Sequence, residues 1–346
     1  MDTVTLGKTG ITVCRNGFGA LPIQRISDSD AVYLVRKAYD NGITFFDTAR
    51  AYTDSEHKLG LALKGIRNKV YIATKTASTT VDGIRKDLET SLRTLDTDYI
   101  DIYQFHNPSF CPKEDSDIYQ YLLGAKKEGK IRHIGITNHR LDTADEAIES
   151  GLYETLQFPF SYISGDRELE LVRKCRESNM GFIAMKGLSG GLLNNSRACY
   201  AFMSQFDNVL PIWGVQREKE LDEWLSYNTN PPTLDAELQK VIDADRKELS
   251  SEFCRGCGYC MPCPKGIQIN QCARMVQLIR RSPSESQLSA EGQAMMAKIK
   301  ECVKCGQCMK KCPYSLPIPT LLEKNLRDYE DILNGKINVA TTDARV

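Results

Sequence analysis

Two short runs hold eight of the chain's thirteen cysteines: Cys254, Cys257, Cys260 and Cys263 in CRGCGYCMPCP, and Cys302, Cys305, Cys308 and Cys312 in CVKCGQCMKKCP. Thiolates suit zinc, copper(I) and iron–sulfur clusters. A structural zinc site takes four ligands, usually as two Cys-x2-4-Cys pairs split by a longer loop. Here four cysteines follow one another at steps of three or four residues, twice. Three thiolates so spaced grip three corners of one [4Fe-4S] cube. The chemistry these residues imply is the movement of single electrons.

The second run reads Cys-x2-Cys-x2-Cys-x3-Cys-Pro, the spacing of bacterial-type ferredoxins. In two-cluster ferredoxins the fourth cysteine of each run ligates the other cube. The expected ligand sets are therefore Cys254, Cys257, Cys260 and Cys312 for one [4Fe-4S] cluster, and Cys302, Cys305, Cys308 and Cys263 for the other. The first run departs from the pattern, with two residues instead of three before its last cysteine. A disulfide framework is the weaker reading, because no secretory apolar segment follows Met1. Cys14, Cys111, Cys175, Cys199 and Cys272 are scattered and read as small buried hydrophobes. Thiolate clusters point to a reducing cytoplasm.

A second set of chemical groups stands far upstream: Asp47, Tyr52, Lys75 and His106. A phenol titrates at about 10, too high for easy proton transfer near neutrality. A nearby ammonium favours phenolate and lowers that value. Tyr52 is therefore the expected general acid, Lys75 its tuner, Asp47 the carboxylate that orients Lys75, and His106 the group that positions a substrate carbonyl. Together they would protonate an alkoxide as hydride arrives at carbon. That is two-electron chemistry, unlike that of the clusters.

The elements that must position these groups are legible as alternating β-rich runs and amphipathic helices. GFGAL (17–21), ITFFDTA (43–49), VYIATK (70–75), YIDIYQFH (99–106), IRHIGITN (131–138), TLQFPFSY (155–162), GFIAMK (181–186) and VLPIWG (209–214) read as strands. Between them lie helical patterns, as over 82–96, where Ile84, Leu88, Leu92 and Leu95 share one face. Eight strands in continuous β-α alternation predict a (β/α)8 barrel over residues 1–230, with catalytic groups at the C-terminal strand ends. A doubly wound sheet is the alternative, but GFGALP opens no Gly-rich dinucleotide turn. The turn-rich YNTNPPT (227–233) reads as the boundary to a small α-rich iron–sulfur domain over 231–346. Forty-one per cent of the residues are hydrophobic, enough for a real core. Forty-five Lys and Arg balance forty-five Asp and Glu, so no net field draws nucleic acid or a membrane surface. No stretch is long and apolar enough to span a bilayer.

DTARAYTDSEHKLGLAL resembles the aldo-keto reductase signature D-T-A-x-x-Y-G-x-S-E-x-x-x-G-x-A-L, with Thr53 in place of the usual glycine. ATK and YQFH then put Lys75 and His106 where that family has its lysine and histidine, and LGKTGITVCRNGFGA is similar to its N-terminal hairpin and first strand. The resemblance covers roughly residues 3–225. It implies a (β/α)8 barrel that reduces small aldehydes or ketones with NADPH or NADH. It also implies that Thr137, Asn138 and Gln157, beside Asp47, hold the nicotinamide end. The C-terminal third, residues 252–320, resembles the ferredoxin-like extension found in one branch of the family.

At the dinucleotide's other end the chain departs from the family. GVQREKELDEW stands for G-x-R-x-x-E-Q-x-x-E-N, so Gln216 replaces arginine, Glu220 glutamine and Trp224 asparagine. Gln216, Arg217, Lys186 and the loop GLSGGLL (187–193), with Gly187 and Leu188 at its start, are the remaining cofactor candidates. His57, His133 and His139 read as structural or surface histidines, with His139, next to Asn138, also a candidate for a substrate contact, and FCPKE (110–114) as a loop that lines a pocket. Hydride moves two electrons and a cube moves one; a flavin is competent in both regimes. Two readings stay open. One is an NAD(P)H carbonyl reductase whose clusters serve structure, sensing or electron delivery to another protein. The other places a flavin at the barrel mouth, fed through the clusters by a ferredoxin-type donor. A redox sensor on a retained barrel is a third class, disfavoured by the intact Asp47-Tyr52-Lys75-His106 set.

Overall fold

A computed structural model describes residues 2–249, 253–281 and 284–337. Parts of the expected C-terminal domain, 250–252, 282–283 and 338–346, lie outside the described residues. The chain divides into two compact units. The first runs to Gly187 and resumes over Ser196–Leu238; the second comprises Leu188–Asn195 and the described residues from Gln239 onward.

The first unit opens with an antiparallel hairpin, β1 (Thr3–Thr5) and β2 (Thr12–Cys14). Eight parallel strands follow: β3 (Gly17–Gly19), β4 (Phe45–Asp47), β5 (Tyr71–Thr76), β6 (Ile100–His106), β7 (Ile131–Thr137), β8 (Thr155–Pro159), β9 (Gly181–Met185) and β10 (Val209–Gly214). They close in sequence order, with β10 paired to β3. The helices α1 (Asp28–Asp40), α2 (Ser55–Leu63), α3 (Val81–Thr94), α4 (Asp117–Lys127), α5 (Leu141–Ser150), α6 (Asp166–Glu177), α7 (Ser196–Met203) and α8 (Glu218–Thr229) alternate with them. This is the (β/α)8 barrel expected from the alternation. Six of the eight strands are shorter than their β-rich runs, most of all β4 and β8, where Ile43, Thr44, Thr48, Ala49 and residues 160–162 lie in the connections.

Strand geometry sorts the barrel interior into layers, since residues i and i+2 face the same side. Phe45, Ala73, Ile102 and Ile183 form an apolar layer with Leu210 and Ile212, and the hairpin's Val4, Leu6, Ile11 and Val13 pack against it. Each such fully buried aliphatic side chain stabilises by about 1.5–3 kcal/mol. Two residues further along, the same faces carry Asp47, Lys75 and Gln104, all buried. Pairing sets Lys75 opposite Gln104, Gln104 opposite Gly135, and Thr137 opposite Gln157. Gly135 is required there: a Cβ would stand 2.3 Å from Thr155 Oγ1.

The second unit is helical. It contains the C-terminal part of α9 (Ala236–Leu249), then α10 (Ile269–Cys272), α11 (Met275–Arg281), α12 (Glu285–Leu288), α13 (Ala290–Ala297), α14 (Gln307–Lys311) and α15 (Ile318–Leu333). Its core joins Ile267, Ile269, Cys272, Met275, Ile279, Met296, Leu322 and Tyr329 with Cys254 and Cys260. No described helix is long and apolar enough to cross a membrane.

Candidate functional site

Asp47 is the last residue of β4 and His106 the last of β6; Lys75 stands one residue before the end of β5. The register brings the three to one end of the barrel. Lys75 Nζ donates to Asp47 Oδ1 at 2.7 Å and to the Thr48 carbonyl at 2.6 Å. Both side chains are buried, Lys75 to 1% exposure and Asp47 to 2%. Burial pushes the Asp47 carboxyl up and the Lys75 ammonium down, and their mutual attraction opposes both shifts.

Tyr52 is half-buried in the loop between β4 and α2, and Lys75 Nζ lies 5.4 Å from its ring centroid. The His106 ring meets Tyr52 edge to face, centroids 6.0 Å apart. His106 Nδ1 is buried with no hydrogen-bond partner, as is Asp47 Oδ2. Burial, then the Lys75 charge, pushes His106 down to about 3, so the imidazole is neutral at neutral pH.

The loop carrying Tyr52 is fixed from beneath. Thr48 N and Arg50 N donate to the Ala73 and Lys75 carbonyls of β5 at 2.8 and 3.0 Å. Ser55 Oγ donates to the Ala20 carbonyl at 2.9 Å. The buried Glu56 accepts from Thr74 and Ser91, each at 2.7 Å, and pairs with Arg50. Thr53 takes a left-handed φ of 35°, which explains why a glycine suits this position and a β-branched residue is unusual. Its hydroxyl is engaged with Gln24 at 3.0 Å.

Sequence reasoning missed Gln104. Its Nε2 donates to Gln157 Oε1 at 2.9 Å, and Gln157 Nε2 reaches Asp47 Oδ1 at 3.4 Å. Gln104 is fully buried in β6, two residues before His106, and its Oε1 has no partner. The available signal was a polar residue in phase with His106 on a strand whose other inward positions are apolar.

The remaining cofactor candidates are placed less uniformly. Thr137 Oγ1 contacts Met185 Sδ at 3.9 Å. Asn138, one residue beyond β7, accepts from His139 N and Arg140 N at 2.9 and 2.8 Å and donates to the Pro108 carbonyl at 3.0 Å, leaving one amide N–H. Lys186 has a φ of 58°, and Gly187 is pressed so closely to Trp213 that a Cβ would stand 2.5 Å from its ring. Leu188 belongs to the second unit. Glu220 fills the N-terminus of α8, accepting from Gln216 N and Arg217 N at 3.0 and 3.1 Å and pairing with Arg217 Nε at 2.9 Å. Trp224 is core, stacked on Trp213 at 4.0 Å and 5°. His133 is structural, bonded to Glu154 at 2.7 Å. The unpartnered Asp47 and His106 atoms make the barrel mouth a fit for the nicotinamide end; at residues 216 and 217 Glu220 already occupies the backbone N–H groups that a further phosphate would use.

In the second unit none of the eight clustered cysteines is paired in a disulfide. Burial pushes Cys260 up to about 12, and Cys254, Cys257 and Cys312 push it the same way; Cys254 likewise feels Cys257 and Cys312. Four sulfurs, three from the first run and the last of the second, therefore share one neighbourhood. Gly256 N donates to Cys254 Sγ at 3.4 Å, and the buried Arg274 lies beside Cys254 and Cys257. Cys308 feels Cys302 and Cys305, and these three line one cavity together with Cys263 and with Cys260 of the first group. Among the described residues no three His, Cys, Asp or Glu converge as ligands of a single ion would. A cube's thiolates bind separate irons and stand further apart, so an all-thiolate donor set in these two groups fits [4Fe-4S] clusters.

Comparison with known proteins agrees with this architecture. The model of the Aldo/keto reductase family matches residues 15–201, and that of the 4Fe-4S dicluster domain matches 253–317. L-galactose dehydrogenase of Arabidopsis thaliana is 33% identical over 209 residues, 54% of this chain and 66% of its own length. Probable aldo-keto reductase 1 of Glycine max is 30% identical over 55% of this chain and 60% of its length. The chain thus spans less than two thirds of these relatives. Aldo-keto reductase AKR11C1 from Bacillus halodurans, a holo form, superposes with a TM-score of 0.62 at 22% identity, covering 71% of this chain and 96% of that one. An aldo-keto reductase from Klebsiella pneumoniae in complex with NADPH superposes with a TM-score of 0.61 at 22% identity, covering 70% and 95%. At such identity these superpositions speak to the fold. With the family match spanning more than half of its length, this chain belongs to the aldo/keto reductase family and carries a 4Fe-4S dicluster domain C-terminal to its barrel.

Proposed function

We propose that this chain reduces the carbonyl of a small aldehyde or ketone with NAD(P)H at the mouth of its barrel. In the same reading its C-terminal unit carries two [4Fe-4S] clusters for one-electron exchange with another protein. The observation that carries the first part is the buried Lys75, 2.7 Å from Asp47 and 5.4 Å from the Tyr52 ring, with His106 edge-on to that ring.

A nicotinamide held there would supply hydride to the carbonyl carbon. Tyr52 gives its phenolic proton to the oxygen on which negative charge develops. Lys75 stabilises the phenolate that remains, and Asp47 fixes the Lys75 ammonium in place. The neutral His106 holds the carbonyl oxygen by a hydrogen bond, with no protonated imidazole competing as acid. Thr137, Gln157 and the free amide N–H of Asn138 would hold the carboxamide of the nicotinamide. The crossed cysteine neighbourhoods support ligand sets of Cys254, Cys257, Cys260 and Cys312, and of Cys302, Cys305, Cys308 and Cys263.

The test is oxidation of NADPH and NADH by anaerobically prepared protein with a panel of small aldehydes and ketones. Tyr52→Phe should lower kcat by about 10²–10⁴-fold while leaving iron content unchanged. Equal activity in that variant would overturn the mechanism. Flavin bands in the visible spectrum would replace it with the flavin reading.

A further inference from the structure

The two cysteine groups differ in their distance from solvent. Cys254 and Cys260 are only 8% and 7% exposed, whereas Cys305 is exposed, in a loop ahead of α14. Residues 302–308 and 262–265 wall the second group, with Pro262, Pro264, Lys265, Val303, Lys304, Cys305 and Gln307 exposed around its cavity, and α14 carries the exposed Met309, Lys310 and Lys311 directly after Cys308. Val303 at 60% and Met309 at 43% are among the few large hydrophobic side chains that the described residues leave exposed. A lone exposed hydrophobe is ordinary. Val303 lines the cavity and Met309 follows in α14, so exposed apolar side chains flank Cys305 within four residues on either side in the chain, a small apolar contribution beside a prospective electron port.

Charge surrounds that stretch. Lys304 pairs with Glu323, Lys300 with Glu330, and Lys298 with Glu301. Lys265, Lys310 and Lys311 are exposed and have no ion pair among the described residues. The whole chain carries no net charge, so three unpaired cations here are a local excess and not a general property of the surface.

We propose that this face is the docking surface of an acidic one-electron carrier protein of the ferredoxin type, with the group Cys263, Cys302, Cys305 and Cys308 as the port beneath it. The occupant is acidic because the unpaired rim is cationic. It is a one-electron carrier because one electron is what a cube exchanges. The small apolar contribution suits the limited, transient interfaces of electron-transfer encounters, with the rim charges accelerating association. In the exchange the reduced carrier loses one electron and the cluster gains it, and no bond or proton need move. The proposal rests on the reading that these cysteines hold a cluster.

The experiment uses the full chain with its clusters loaded and an acidic plant-type [2Fe-2S] ferredoxin as probe. Binding is measured across a salt series, and carbodiimide cross-linking, which joins ammonium to carboxylate, maps the contact. Expected are affinity that falls with added salt, cross-links at Lys310, Lys311 or Lys265, and binding weakened about tenfold or more by K310E/K311E. Lys127→Glu, on the barrel unit, should leave binding unchanged. If K310E/K311E loses its fold, Lys265→Glu on the other segment carries the same expectation. Binding indifferent to these lysines, cross-links elsewhere, or equal retention on heparin would overturn the docking surface. Iron and sulfide analysis separates the two failures: protein without clusters defeats the underlying reading, whereas loaded protein that ignores the lysines defeats the docking proposal alone.

Discussion

Lys75 Nζ lies 2.7 Å from Asp47 Oδ1, both side chains are excluded from solvent, and the other carboxylate oxygen of Asp47 has no partner. Removing one member of such a pair strands the other. Lys75→Met and Asp47→Asn should each destabilise the barrel by about 3–5 kcal/mol. The double variant should cost clearly less than their sum, because neither uncompensated charge remains. Urea unfolding of the two singles and the double measures this. Additive losses would show that the two groups do not act as an ion pair.

His106 makes stability depend on pH in a definite direction. Its folded value is pushed down to about 3, against 6.5 for the unfolded group. Between those values the unfolded chain binds the extra proton, so stability rises with pH and is lost as pH falls from about 6.5 toward 3. The slope attributable to this group is at most about 1.4 kcal/mol per pH unit. His106→Gln, which retains a hydrogen-bonding side chain, should remove that component from a series of unfolding curves. A variant with the parent's slope would place the titration elsewhere.

Gln104 acts on the site through Gln157 and also directly, its amide favouring the Asp47 carboxylate. Replacing it with Leu leaves Gln157 Oε1 without its donor, at a cost of about 1–3 kcal/mol. It also frees Gln157 to turn away from Asp47. The expected kinetic signature is a fall in kcat with a shifted pH profile and little change in the KM of the carbonyl substrate. Gln104→Glu, which keeps the shape but offers no amide donor, should not rescue it. A purely structural role would lower stability and leave the pH profile of kcat in place.

The ease of reading different parts of this chain followed the range of the interactions involved. Strand identity is local: period-two alternation and the inward phase of Asp47, Lys75 and His106 follow from the order of residues, and the closed barrel was expected from them. The polar chain from Gln104 through Gln157 to Asp47 is not local. It depends on the registers joining β6, β7 and β8, which no single strand specifies. The same holds for Trp224, whose place against Trp213 is set by how α8 lies on β10. Glu220 illustrates a competition within a helix terminus: its carboxylate takes the backbone N–H groups of residues 216 and 217 that a bound anion would otherwise use. The family spacing shows the substitution at 220 but not where its carboxylate goes.

The cysteine neighbourhoods make the sharpest distinction between runs and ligand sets. If each run served its own cluster, Cys312→Ala would disturb only the cube held by Cys302, Cys305 and Cys308. In the structure Cys312 sits electrostatically with Cys254 and Cys260, and Cys263 lines the cavity of Cys302, Cys305 and Cys308, whose wall Cys260 also reaches. Cys312→Ala should therefore alter the buried cluster and Cys263→Ala the exposed one. Solvent exposure helps set a cluster's potential, so the two lesions can be told apart by anaerobic redox titration followed by electron paramagnetic resonance. Each variant should lose or convert one of the two signals, and the lost signals should be different ones. If Cys312→Ala removed the signal that Cys305→Ala also removes, the crossed arrangement would be wrong and each run would bind its own iron.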